Sequence, residues 1–267
     1  AFVLSGIVSS QRVRESIQRA ASGTLNARVG FGELKFALLP RPHLAAAQVR
    51  IETGRGEARL PLLRVYPRIA PLLAGEIEIS RLDIEGPSVS ADLTAFEPAG
   101  APSPGTGFEI AALPGHLARR LPKLPAVSGI MRIFISDGGI EIRSAAENDV
   151  LRIRNLNAEL TLRGRAVNLS ASFDSDPAPD LRLETRLDGD AGTAEARLHA
   201  PRLRPEIMLP LFPDEPPTDI AGSPVDLEIT ARVRPGGLLD TSIRLEAEEI
   251  RVVRKGRKAV YSGLRAE

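Results

Sequence analysis

Val225-Asp226-Leu227-Glu228-Ile229-Thr230-Ala231-Arg232-Val233 sets an apolar residue against a polar one at every step. Side chains of an extended chain point to opposite faces in turn, so a period of two predicts a strand with one apolar and one polar side. Pro235-Gly236-Gly237 follows as a turn signal, and Thr241, Ile243, Leu245 and Ala247 resume the alternation.

The same period runs back toward the N-terminus. Leu156, Ala158, Leu160 and Leu162 carry it, then Val167, Leu169, Ala171 and Phe173, then Leu181 and Leu183, then Ala194, Ala196 and Leu198. Met131, Ile133 and Ile135 lead into Asp137-Gly138-Gly139, which predicts a hairpin turn before Ile140 and Ile142. Earlier still, Leu25, Ala27, Val29 and Phe31 alternate up to Gly32, after which Leu34, Phe36 and Leu38 carry the apolar side. A bulge at Gly32 would keep both halves facing one way. Ala47, Val49 and Ile51 continue the pattern, Ile77 and Ile79 shift phase to Leu82 and Ile84, and Val89, Ala91 and Leu93 close this block.

Two stretches break the rhythm. Residues 97–125 are rich in Pro, Gly, Ala and Ser and read as a linker with room for a short helix, limited by Pro114 and Pro122; Pro201 to Pro217 is a proline-rich excursion. At the start, Ile7, Val8, Val13, Ile17 and Ala20 recur at helical spacing before Gly23, a C-cap candidate. The expected organisation is an amphipathic helix over 1–23, a β region over 24–96, the linker over 97–125 and a repeated β segment over 126–267 that continues past the last residue. The fold class is mainly β: a long curved antiparallel sheet of amphipathic strands with a short N-terminal helix. Such faces are satisfied by a second sheet packed on the first or by an open apolar trough.

Composition excludes several function classes. Charges balance, 35 basic against 34 acidic residues, which is not the basic bias of a nucleic-acid binder. No cysteine is present, so disulfides and thiol chemistry are out. His43, His116 and His199 are scattered without a nearby ligand partner, so no metal or other cofactor is expected. Acidic residues such as Asp226, Glu228, Glu246 and Glu248 fall on polar strand faces rather than in a paired catalytic arrangement. Gly30-Phe31-Gly32 lacks the remainder of a phosphate-loop fingerprint. No catalytic residue is assigned, and the chain is read as a non-enzyme. One basic run, Arg251, Arg254, Lys255, Arg257 and Lys258, reads as the charged edge of a late strand and its turn.

Two stretches resemble the N-terminal region of the AsmA-like family, which is related in architecture to TamB and to chorein-type lipid bridges. One is Ser22-Gly23-Thr24-Leu25 through Gly32-Glu33-Leu34-Lys35-Phe36 to Pro40-Arg41-Pro42-His43-Leu44. The other is Pro71-Leu72-Leu73-Ala74-Gly75-Glu76-Ile77-Glu78-Ile79, continuing Leu82-Asp83-Ile84-Glu85-Gly86-Pro87. Ile135 to Ile140 and Ile153 to Leu156 are similar to strand pairs of the family's groove repeats. The resemblance implies an open, taco-like groove, phospholipids or other acyl lipids as cargo, and transport between the inner and outer membranes. It also implies a periplasmic location in a Gram-negative cell, an inner-membrane anchor and an outer-membrane partner. The opening run Ala1 to Val8 is then the stub of that anchor.

The groove lining expected on this reading begins with Val29, Phe31, Leu34 and Phe36, and continues through Ile77, Ile79, Leu82 and Ile84. Ile133, Ile135, Leu160, Leu169, Ile229 and Ile243 extend it. Each is equally suited to a closed core. Two other roles therefore stand beside lipid transport: an assembly factor that offers sheet edges to outer-membrane client strands, and a closed structural sandwich or solenoid.

Overall fold

The computed structural model describes residues 15, 18, 19, 22, 27–37, 39, 41–54, 56–74, 76, 78–92, 127–143, 150–204, 224–235, 238–254 and 257–266. Among them the chain is mainly β, with fourteen strands and, between the fourth and the fifth, a short helix, α1 (Ile69–Leu73). Glu15, Gln18, Arg19 and Ser22 are helical, as expected of the first segment. The linker over 97–125, most of the excursion after Pro201, and Gly23, Leu25, Leu38, Ile77 and Leu93 lie outside the described residues. The chain forms two compact units, Ala1–Glu97 with Ser128–Thr161, and Pro98–Val127 with Leu162–Glu267.

In the first unit β1 (Arg28–Gly30) and β2 (Glu33–Ala37) both pair with β3 (His43–Thr53), which pairs with β4 (Gly56–Pro67). β5 (Ile79–Glu85) and β6 (Ser88–Asp92) lie end to end in one line between β4 and β7 (Val127–Arg143), and β8 (Val150–Gly164) follows β7. The antiparallel expectation holds except at β7, which runs parallel to both β5 and β6. A parallel neighbour needs a crossover of a dozen or more residues, and the long segment after Asp92 supplies that length.

Two readings of the sequence are corrected here. Asp137-Gly138-Gly139 is not a hairpin turn: β7 passes straight through it as one strand of 17 residues. And β4, which the alternation did not show, is a central strand with Pro61 in its middle. Both corrections have one cause. Leu34, Ala46, Leu63, Ile84 and Ile135 stand opposite one another on neighbouring strands, and so do Val29, Ile51, Ala58, Val89 and Ile140. In each strand line the two positions are five apart, an odd number that would place them on opposite faces of an unbroken strand. Yet Leu34, Ala46, Val29, Ile51 and Leu63 pack in one cluster. Between the two rows runs a third, through Gly32, Gln48, Pro61, Gly86 and Asp137, where every strand line is turned over. Gln48, Gly86 and Asp137 take left-handed backbone there (φ 53°, 60° and 53°), as does Asn155 of β8 (φ 53°). The bulge expected at Gly32 is thus one member of a transverse seam.

Pro61 is tolerated because the seam is where ladder pairing is already interrupted, so its missing N–H costs no regular bond. Gly86 N donates to Ser136 O (2.8 Å) and Gly139 N to Pro87 O (2.7 Å), which keeps β7 attached on both sides of the break.

The second unit is antiparallel throughout its described pairs: β9 (Ala166–Ser175), β10 (Leu181–Asp188), β11 (Thr193–Leu203), β12 (Val225–Val233), β13 (Leu239–Arg254) and β14 (Arg257–Ala266) in chain order. The turn at Pro235 joins β12 to β13, with Arg234 N donating to Leu238 O at 2.8 Å. Arg251↔Val260, Val253↔Lys258 and Arg254↔Arg257 pairing places Arg251, Arg254, Arg257 and Lys258 of the basic run on the adjoining ends of β13 and β14, while Lys255 lies outside the described residues.

Candidate functional site

The apolar face of the first unit is deepest beside the seam. Leu34, Ala46, Val49 and Leu60, on three different strands, are 5–9% exposed, and Pro87 and Gly138 are buried next to them. Exposure rises toward the strand ends, to 36% at Ile79. On the opposite face, Gly32, Gln48, Pro61 and Asp137 are exposed along the same row, with Gly86 half-buried among them. No large side chain among the described residues is fully buried. Among the described residues, the buried cluster here comes from strands of one sheet, with no residue of a second layer in it.

Of the residues expected to line a groove, Leu34 is buried, and Val29, Phe31, Phe36, Leu82, Ile84, Ile133 and Ile135 are half-buried on this face. Phe36, Leu44, Val65, Leu82 and Ile133 form a further row parallel to the seam. Ile79 sits at an irregularity in β4–β5 pairing, where Ser80 Oγ donates to Tyr66 O (3.0 Å). Leu160 is half-buried on β8, flanked by exposed Glu159.

Sequence reasoning missed Leu44, Ala46, Leu60, Leu63 and Val65, and put Ala47 rather than Ala46 on the apolar side. The signal that finds them is the odd spacing between apolar runs within one strand: Leu44 and Ala46 against Val49 and Ile51, Leu60 against Leu63 and Val65.

In the second unit, Ala171, Leu183, Leu198, Ile229 and Ile243 form one row across five strands, and Leu169 stands two positions before Ala171 on β9. Ile229 is half-buried and Ile243 is 51% exposed. A second buried cluster, Ala178, Leu181 and Ala200, closes one end, packed by Phe173, Leu198, Leu203 and Leu227.

The reverse faces carry the charges. Arg81 lies over the Phe134 ring (4.3 Å) and beside Tyr66 (5.6 Å), while its Nε donates to Asp83 Oδ1 (2.5 Å). Burial pushes the Tyr66 phenol up from its ordinary value, and the Asp83 carboxylate adds to the shift. Arg64 pairs with Glu85, and Arg68 with Glu78. In the second unit Glu195 sits between Arg197 (3.0 Å) and Arg232 (3.1 Å), and its hydrogen bond from Arg232 holds the carboxyl below the usual range. These acids are engaged by arginines. Among the described residues no group of three or more His, Asp or Glu stands where it would hold a metal ion. What this arrangement offers chemically is an aliphatic surface, continuous across strands, on a scaffold whose polar groups face away.

No helix among the described residues is long and apolar enough to cross a membrane. A scan of protein-family models finds no match to this chain, and a search of curated proteins finds none either.

Proposed function

We propose that this chain is a non-enzymatic segment of a cell-envelope protein that holds the acyl chains of phospholipids on its apolar sheet face and passes them between the inner and outer membranes. The observation that carries the reading is the apolar face of the first unit, unbroken across the seam, lined mainly by aliphatic side chains, buried beside the seam and half-buried on either side of it. The resemblance to AsmA-like proteins contributes the periplasmic setting, the inner-membrane anchor and the cargo.

The energetics favour such a surface. An acyl chain of roughly 16 carbons costs on the order of 13 kcal/mol to expose to water, at about 0.8 kcal/mol per methylene. An aliphatic face shields it without the directional polar contacts that would hold one headgroup in one place. Lipid therefore slides along it rather than docking.

Native mass spectrometry of the purified protein, followed by extraction and identification of bound lipid, tests this. Several phospholipids without headgroup preference are the expected result. A lipid-free protein that instead captures unfolded outer-membrane polypeptide would replace the reading with an assembly role at the sheet edges. Lipid-free protein with neither activity would leave a closed structural sandwich.

A further inference from the structure

We infer that the acyl chain lies across the strands, along the seam, rather than parallel to any one strand. The inference rests on the lipid-holding reading above and adds the path and the residues that form it.

A residue turned into left-handed backbone inside a strand bends the chain locally. Where neighbouring strands turn at one row, the bends add into a crease in the sheet. The exposures along this row say which way it folds. Gly32, Gln48, Pro61 and Asp137 are exposed on one face and Gly86 is half-buried, while Leu34, Ala46, Val49 and Leu60 are the most buried apolar residues on the other. The crease is therefore concave on the apolar side. Small residues sit in its floor beside Leu34 and Leu60. Ala46 is buried in it, and Gly138 has Pro87, Leu156 and Ile135 within 3.1–3.4 Å of where a Cβ would stand.

A linear hydrocarbon chain touches both walls of a concave crease only when it runs lengthwise. Crossing the crease along a strand, it would touch the floor at one point and bridge over the rest. Five strand lines at about 4.8 Å give the crease a length of roughly 19 Å. That exceeds the roughly 15 Å occupied by one leaflet's chains in a bilayer. The buried positions beside the seam, Leu34, Ala46, Val49, Leu60, Pro87 and Gly138, are all apolar, which suits an aliphatic occupant and disfavours a peptide with its backbone polar groups.

The test uses two diazirine-bearing palmitic acids, one photoreactive near the carboxylate and one near the methyl end, with labelled residues mapped by mass spectrometry on the whole chain. Both probes should label residues beside the seam, and moving the diazirine should move the label from one strand to another within the row, for example from Leu34 to Ile135. Label that shifts along a single strand, such as from Leu44 to Ile51, overturns the inference, as does label indifferent to diazirine position. Ala46→Leu, which fills the floor, should reduce labelling of the seam several-fold with an unchanged β circular dichroism spectrum. Unreduced seam labelling in the folded Ala46→Leu protein also overturns it. Seam-free labelling in a protein that still retains phospholipid sinks the path alone. A protein with neither label nor lipid sinks the proposed function with it.

Discussion

The backbone N–H of Asp137, in the middle of β7, donates to the side-chain Oδ1 of Asn157 on the neighbouring strand (3.2 Å). The second unit repeats the device once, in β11, where Arg202 N donates to Asp226 Oδ1 of β12 (2.7 Å). Asp180, in the loop just before β10, makes a like bond to Asp174 Oδ1 (2.9 Å). Asp137, Asp180 and Arg202 are all left-handed. Turning a strand over leaves its N–H without a ladder partner, and an Asp or Asn on the adjoining strand replaces the missing carbonyl.

The left-handed turn at Asp137 makes substitutions there depend on backbone preference. Asp137→Val, a β-branched residue, should destabilise the protein by about 1–2 kcal/mol, because left-handed backbone crowds its Cβ against the carbonyl. Asp137→Gly should be near neutral, since glycine adopts this conformation freely but loses more entropy on folding. Urea unfolding midpoints separate the two, and equal midpoints would remove the seam from β7.

Depth on the apolar face should set the cost of truncation. Leu34→Ala, at a buried position, should cost about 2–3 kcal/mol, the low end for core leucines because the site is covered by one layer only. Ile243→Ala, half exposed, should cost less than about 1 kcal/mol. Comparable losses at both sites would mean that Ile243 is covered.

A carboxylate on the apolar face should repel lipid without unfolding the chain. Ile229→Asp removes aliphatic surface that shields about two methylenes, so bound lipid should be held roughly tenfold more weakly. Co-purified phospholipid measured against the unsubstituted protein reads this directly. An Ile229→Asp chain that loses its β spectrum would show the position to be closed core.

Alkaline titration should single out Tyr66. Its pKa stands above the ordinary value, first through burial and then through Asp83, so the fold favours the protonated phenol. That contribution is fully present below the unfolded value of about 10 and is lost as pH rises through the raised one. Ultraviolet absorbance of tyrosinate should show a component titrating late that vanishes in Tyr66→Phe. In Asp83→Asn the component should move partway down and stay above normal, because burial remains. A late component that persists in Tyr66→Phe would assign it to Tyr261.

Strand class, the two-faced character of most strands and the absence of cysteine were all legible beforehand, because each is a local property. Alternation at Val225 to Val233 needs no partner to be read. The phase change at Gly32 was legible for the same reason. Apolar lining was recovered well on strands with an even run, as at Leu82 and Ile84, and lost on β4, where Pro61 and the shift from Leu60 to Leu63 scramble the period.

Pairing across the chain decided the rest. Nothing local makes β7 run parallel to β5 and β6, since that direction follows from partners some fifty residues away. Asp137-Gly138-Gly139 has turn chemistry in isolation, yet Ser136 O and Gly139 N bond to Gly86 and Pro87, and those bonds hold the segment extended. Residue types state which conformations a backbone segment tolerates. Which of them is adopted depends on the hydrogen bonds that neighbouring strands leave to be made.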